Sequence, residues 1–418
     1  MNSSAPDSLF RWAPYWVLAF VALWPTVGVA EAVMSLGAVF GFVLMLWQKI
    51  SYRSTWLSRE AWLMTLAFFL AYWLPEFFSA FDAINVKRAW REVLLDLRYL
   101  PFLWLIALSV SNEKGRNLIF SGLAVISLFW ALDGMMQVLT GFSLGGAMTK
   151  DRLSGIFGSD NLKLGLVLAA LSPFTLDWAR KRGGAWLWCG VAFLVGTVIL
   201  WAGARAAWVM FGIVLLVSGW RVMGKRRLLI FLLASSLILL LSYFASPELR
   251  ARFERTESAL VGQTSDIDHA LSGRISIWKT ALKMTADHPV NGVGVRNFRD
   301  VYRQYAEADD PFIDDKQQGA FHAHHWLLEV LSETGVIGLI CWLIGFYAMW
   351  RAWRWSPPHA RELAFVPMLA CVVVLFPLNT HLAFYASFWG GCWLMLLALY
   401  AGCLGAKDRF HPPSVQAA

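Results

Sequence analysis

Three histidines fall within four positions, His322, His324 and His325, just ahead of an apolar run from Trp326 to Trp350. Imidazole exchanges protons near neutral pH, so a cluster placed here could act as a general base or orient a hydroxyl. The run behind it is long enough to cross a bilayer with some tilt. Glu329 and Glu333 lie inside that run, and Asp133 lies inside an earlier one. Ionisable groups at such depth are costly and usually paired. With a helix starting slightly early, His322, His325 and Glu329 share one face, and Glu333 lies about 6 Å further in at ~1.5 Å per residue. Glu329 can fix the tautomer of a neighbouring histidine or pair with an arginine of a facing helix; the pairing role is the expectation.

Arginine is the second chemically telling residue. Its guanidinium stays charged and grips phosphate oxygens in pairs. Arg205 stands alone in the turn AGARAAW between two apolar segments, where it either snorkels to headgroups or binds an anion. The stretch 83–98 is amphipathic: Trp90, Val93, Leu94 and Leu97 form an apolar stripe against Lys87, Arg88, Arg91 and Arg98. It reads as an interfacial helix showing its basic side to lipid phosphates, or as a helix solvated on one side. Arg152 sits in a glycine-rich loop, TGFSLGGAMTKDRLSGIFGSD, and Arg274 opens a helical pattern that ends before Pro289. The acids Asp309, Asp310, Asp314 and Asp315 match no calcium loop, and the chain shows no metal-ligand pattern and implies no cofactor.

These residues must be positioned by membrane helices. Of 418 residues, 58% are hydrophobic and 15% charged, against about 25% charged in ordinary soluble domains. The expected fold is an all-α polytopic membrane protein of about 12 transmembrane helices, near 12–29, 31–48, 60–80, 99–111, 118–139, 161–178, 186–202, 206–222, 228–245, 325–350, 363–380 and 382–403. The first helix can serve as a signal anchor, so no cleaved signal is expected. The layout places residues 1–245 in nine helices, 246–324 in one large helical loop, 325–403 in three more helices, and 404–418 in a tail. Within the large loop, 247–260 reads as a charged helix, and NGVGVRNF as a tight turn before a third helix through Arg299 and Tyr305.

Short loops rich in Lys and Arg alternate along the chain, for example Lys49, Arg53 and Arg59, then Arg180, Lys181 and Arg182, then Arg351, Arg354 and Arg361. The positive-inside rule makes those ends cytoplasmic, with both termini inside and the histidines on the outer face. In a Gram-negative cell that face is the periplasm, which lacks ATP. Many of the 24 tryptophans lie near segment ends, as in an interfacial belt. The five cysteines lie in apolar runs and read as small buried side chains. The net charge of +8 is spread over loops and is no nucleic-acid signal.

Several patterns, in order, resemble the O-antigen ligase superfamily of ligases and polymerases. They are Arg152, Gly155, Phe157 and Gly158; Ala204-Arg205-Ala206-Ala207; Gly273, Arg274 and Trp278; His288, Pro289, Gly292, Gly294, Asn297 and Phe298; and His324, His325, Leu328, Glu333, Gly335 and Gly338. Together they cover about 150 to 340. Two departures stand out: His325 where the family usually has Asn, and Ala204 where Ser is common.

The resemblance implies transfer of a glycan from undecaprenyl pyrophosphate to an acceptor, at the outer face of the bacterial inner membrane and among membrane lipids. Arginines would stabilise the leaving pyrophosphate in place of a divalent metal. It implies His324 as base or orienting group, Arg205 and Arg274 as leading pyrophosphate ligands, Arg88, Arg91 and Arg152 as secondary ones, and His322 and His325 as further substrate contacts. Direct attack by one acceptor gives inversion. Three activities compete: a ligase onto lipid A–core, a polymerase onto another lipid-linked repeat, and a protein O-oligosaccharyltransferase. The single large late loop and the short tail favour the ligase. A lipid-linked glycan transporter using Asp133, Glu329 and Glu333 as an ion path is the reading from a different class.

Overall fold

The computed structural model describes residues 11–26, 28–52, 57–148, 153–158, 161, 163–245, 274–313, 319–376 and 383–406. Arg53, Arg152, the expected helix at 247–260, Gly273, Asp314, Asp315 and the tail beyond Ala406 lie outside these residues. The described chain forms helices α1 (Ala13–Ala22), α2 (Val29–Tyr52), α3 (Arg59–Ser79), α4 (Val86–Asp96), α5 (Tyr99–Ser109), α6 (Glu113–Thr140), α7 (Leu164–Ala202), α8 (Arg205–Ala245), α9 (Arg274–Asp287), α10 (Phe298–Tyr305), α11 (Trp326–Trp355), α12 (Pro358–Val374) and α13 (Ser387–Leu404). The strands among these residues are the two-residue β1 (Phe142–Ser143) and β2 (Gly146–Ala147), paired antiparallel. Seven of the helices, α2, α3, α6, α7, α8, α11 and α13, are long and apolar enough to cross a membrane.

Three of those seven double back at glycine. In α7, Gly183 and Gly184 leave helical geometry, and a Cβ on Gly165 would lie 2.9 Å from that of Ala202. A straight helix would separate those residues by about 55 Å, so α7 is two antiparallel arms. In α8 the break is Gly224: Trp188 donates to Ser218 at 3.0 Å while its ring lies 5.5 Å from Phe231, residues about 20 Å apart on a straight helix. In α11 the break is Gly335, and Trp326 packs 6.3 Å from Trp342 and 5.8 Å from Phe346.

The α11 break corrects the expected continuous helix at 325–350. Gly335 takes φ 63°, a conformation costly for a side-chain-bearing residue. A second glycine turn docks into the gap. Val293 and Gly294 donate to Ser332 O and Glu333 O at 2.8 and 3.1 Å, and Val336 donates to Pro289 O at 2.9 Å. A Cβ on Gly335 would sit 2.2 Å from Val290 O, and one on Gly292 would sit 2.4 Å from the Glu333 carbonyl carbon. Only two bare backbones fit here.

The bundle is arranged around α13, whose membrane-length window is 89% buried. It packs on α3, α5 and α12. Trp393 lies 5.0 Å from Trp342, 4.9 Å from Phe384 and 5.1 Å from Tyr72, tying α13 to α3 and α11. A helix apolar all round belongs in such a core. Two helices are shorter than expected: α1 stops at Ala22, ahead of Pro25, and α12 stops at Val374 rather than 380.

The amphipathic stretch does form a helix, α4, capped by Asn85 accepting from the Arg88 N–H. Its inner face is narrow. Ala89, Val93 and Asp96 are buried and Trp90 packs edge-on to Phe77 and Phe81, but Leu94 and Leu97 are exposed. The small face lies on α3, where Asp96 can accept from the Tyr72 hydroxyl at 3.1 Å, and the leucines are left pointing away from the bundle.

Candidate functional site

The histidines cap the N-terminal arm of α11, with His325 at the N-cap. His322 and His324 have ring centroids 3.9 Å apart. Trp278 of α9 donates to the Ala323 carbonyl at 3.1 Å and stands edge-on to His325 at 5.7 Å, so α9 holds the histidine loop from one side. Arg274 lies one turn before Trp278 on that helix. His325 is half-buried, and burial lowers its pKa from the ordinary histidine value. His324 takes φ 51°.

Arg296, at φ 59°, is the only other non-glycine residue with positive φ among the described residues. Left-handed backbone costs such residues roughly 1–2 kcal/mol and tends to collect at working sites. Both strained residues lie on the two segments that meet through the broken helix.

Glu333 explains how Arg296 is held. Its carboxylate accepts the backbone N–H groups of Arg296 at 2.8 Å and Phe298 at 3.3 Å. Glu329 accepts the Tyr385 N–H at 3.2 Å. Both carboxylates thus bond to backbone, because the doubled-back arm turns them toward the loops that cross its end. The arginine charge that acts on both is that of Arg296, from a loop rather than from the facing helix expected for Glu329. Burial opposes the Arg296 charge, but Glu333 and then Glu329 outweigh it and hold its pKa above the usual arginine value.

The same turn is stapled to α3 and α4. Val295 donates to Ser79 Oγ at 3.1 Å, Ile84 donates to Val293 O at 3.2 Å, and Asn85 donates from its side chain to Asp300 at 2.8 Å, with Arg88 also bonded to Asp300. Between α4 and the turn opens a cavity of about 350 Å³ lined by Asn85, Lys87, Arg88, Arg91, Glu92, Arg296 and Arg299. Arg299 stacks over Phe321 at 4.8 Å, beside His322, so the basic cavity adjoins the histidine loop.

The structure thus brings Arg88 and Arg91 together, with Arg274 flanking the histidine loop through α9. Arg205 is exposed at the first turn of α8. It lies at the same end of the bundle: neighbouring Ala207 meets Gly165, Lys163 next to it covers Phe388 at 4.0 Å, and Phe388 is three residues from Tyr385. Arg205 is carried, however, by elements other than those that build the cavity. Arg296 and Arg299 were missed as site residues, although they flank the Asn-Phe that follows the glycine turn.

Asp133 does not serve as an isolated membrane acid. Its Oδ1 accepts the Leu144 N–H at 2.8 Å, and Gln137 one turn later accepts the N–H groups of Ser154 and Gly155. Together they anchor the loop that contains β1, β2 and Phe157. Asp310 likewise accepts from Tyr302 Oη and the Phe312 N–H, both at 2.9 Å. A larger cavity, about 580 Å³, lies at the opposite end of the bundle among Arg116, Arg180, Arg221 and Glu362; Arg221 pairs there with Glu362 and Arg180 with Asp177.

Residues 190–343 match the family described as O-Antigen ligase. The chain is also 24% identical over 324 residues to the exopolysaccharide production protein ExoQ of Rhizobium meliloti (strain 1021), covering 73% of this chain and 68% of that protein. Both similarities point to the O-antigen ligase and polymerase superfamily, the family match being to a segment of the chain. The family match takes in α9, the glycine turn, the histidines and the α11 break. Members of this family are glycosyltransferase-like membrane enzymes.

Proposed function

We propose that the chain is an O-antigen ligase that moves O-antigen polysaccharide from undecaprenyl pyrophosphate onto lipid A–core, with inversion and without a metal. The observation that carries this reading is His324, held in left-handed backbone on a loop seated by the broken helix and adjoining an arginine-lined cavity. In the proposed step an acceptor hydroxyl oxygen forms the bond to the anomeric carbon. The carbon–oxygen bond to pyrophosphate breaks, and its electron pair leaves on the pyrophosphate. The hydroxyl proton passes to a ring nitrogen of His324. Arg205 and Arg274 stabilise the charge that grows on the leaving group, with Arg152 in a supporting role. His322 and His325 position the acceptor.

Taking each arm of α7 and α8 as a span, and the C-terminal arm of α11 as one, gives twelve crossings with α1, α2, α3, α5, α6, α12 and α13; α4 lies on the surface. That count supports a multi-pass inner-membrane protein with cytoplasmic termini and the histidine end in the periplasm. Residues 246–324 are then a periplasmic segment, of which the described part, 274–313 and 319–324, packs on the bundle through the glycine turn.

A second reading is favoured by the relative's name, which concerns exopolysaccharide rather than lipopolysaccharide. In it the same chemistry lengthens a lipid-linked glycan. Purified protein in detergent, given lipid-linked O-antigen and lipid A–core with a chelator present, separates the two. Glycan appearing on lipid A–core supports the ligase, and lengthening of the lipid-linked glycan alone replaces it with the polymerase. Transfer that stops on chelation and returns with a divalent ion removes the metal-free step.

A further inference from the structure

The cavity between α4 and the 296–299 turn holds more positive charge than its acids balance. Five cations, Lys87, Arg88, Arg91, Arg296 and Arg299, share it with Glu92. Asp300 engages Arg88, and Glu333 and Glu329 act on Arg296 from the helix beneath. For Arg299, burial first and then the Arg296 and Arg88 charges outweigh Glu333 and Asp300 and hold its pKa below the usual arginine value. Clustered cations in a walled site create a strong field for an anion. Guanidinium groups on two facing elements suit the several oxygens of a phosphate.

The place of the cavity argues which phosphate it takes. In an inverting displacement the attacking oxygen and the leaving pyrophosphate lie on opposite sides of the anomeric carbon. The cavity adjoins the base side, through Arg299 over Phe321 next to His322. The leading pyrophosphate ligand Arg205 lies elsewhere. It opens α8, which packs on α7 and α12, while Arg274 flanks the histidine loop from α9 without lining the cavity.

We propose that this cavity is an acceptor site: it binds a phosphate group carried by the acceptor lipid and so places the acceptor hydroxyl at His324. The inference rests on the transferase reading and adds acceptor recognition to it. It also revises the sequence-based expectation for Arg88 and Arg91, moving them from the donor pyrophosphate to the acceptor.

The test measures equilibrium binding to the full-length protein in detergent. The probes are lipid A–core, the same material stripped of phosphate with hydrofluoric acid, and undecaprenyl-pyrophosphate glycan. Wild type should bind stripped lipid A–core about 10- to 100-fold more weakly, the range of lost hydrogen bonds to charged groups. Lys87→Gln/Arg299→Gln should bind intact lipid A–core as weakly as wild type binds the stripped form, with affinity for the lipid-linked glycan unchanged. Arg299→Lys should retain most of the acceptor affinity, which a mere folding defect would not predict. A fall in affinity for the lipid-linked glycan instead would assign the cavity to the donor. An equal response to stripping in wild type and double variant would leave no phosphate recognition here. Displacement of lipid A–core by phosphatidylglycerol at equal concentration would make it a general headgroup site. Wild type that binds neither lipid A–core nor lipid-linked glycan would overturn the transferase reading itself.

Discussion

The carboxylate of Glu333 accepts the backbone N–H of Arg296 at 2.8 Å, and through that bond a helix-borne acid holds a strained arginine in a loop. The same carboxylate reaches the Phe298 N–H, so one side chain fixes the whole turn that faces α4. Charge-assisted bonds of this kind contribute about 1.5–3 kcal/mol each.

Glu333→Gln keeps the acceptor oxygen but removes its charge, and Glu333→Ala removes both. Glycan transfer should fall in both, more steeply in Glu333→Ala, with a stability loss of about 1–3 kcal/mol in the alanine variant. Thermal unfolding in detergent, read beside transfer on a gel, checks this. Alanine and wild type melting together would show that the bond does not hold the turn.

The interlock at the α11 break makes a harsher prediction. Gly335→Ala places a Cβ 2.2 Å from Val290 O in a left-handed backbone. Either the turn at 289–294 or the arm carrying the histidines must move. The variant should lose more than about 2 kcal/mol and most of its transfer. By contrast, Gly190→Ala, where an added Cβ meets nothing within 4 Å, should melt with wild type. Fluorescence-monitored unfolding of both variants gives the comparison.

Much of this site was legible in the sequence as spacing, and little of it as geometry. The histidine cluster, the Gly292–Gly294 turn and Gly335 all stood out as residue types. That they interlock could not be read, because apolar periodicity runs through Gly335 without interruption and only the docked turn reveals the break. The acids mislead for a related reason. Glu329 and Glu333 look like unpaired membrane charges along a line, and the doubling back of α11 is what delivers them to backbone donors at the bundle's end. Periodicity put Trp90, Val93, Leu94 and Leu97 on one apolar stripe of α4 but could not say which of them meets α3. The narrow contact takes Ala89 and Val93 and leaves Leu94 and Leu97 exposed. Arg296 carries no local signal beyond its place after two glycines.

His325 gives a pH dependence whose direction follows from its burial. Its pKa is lowered from 6.5 in the folded protein, so below that value the unfolded chain binds the proton more readily than the native one. Its contribution to stability is therefore complete above the unfolded pKa and is lost as pH falls from there through the folded pKa. Taking wild type from pH 7.5 to pH 5 should lower its melting temperature, and His325→Gln should lose less over the same interval. Equal losses would place the titrating group elsewhere.

The strongest discrimination among the three histidines comes from the backbone of His324. At φ 51° its side chain is carried at a cost of roughly 1–2 kcal/mol, which glycine would largely avoid at its own entropic cost of about 0.5–1 kcal/mol. His324→Gly should therefore fold at least as well as wild type while losing transfer by about 100-fold or more, the scale of a lost general base. His322→Ala, whose backbone shows no such strain, should retain measurable transfer. Melting curves and initial rates on the same preparations decide it. A His324→Gly protein that is less stable yet active would mean that the residue supports the loop rather than the chemistry, and would shift the base to its neighbour 3.9 Å away, His322.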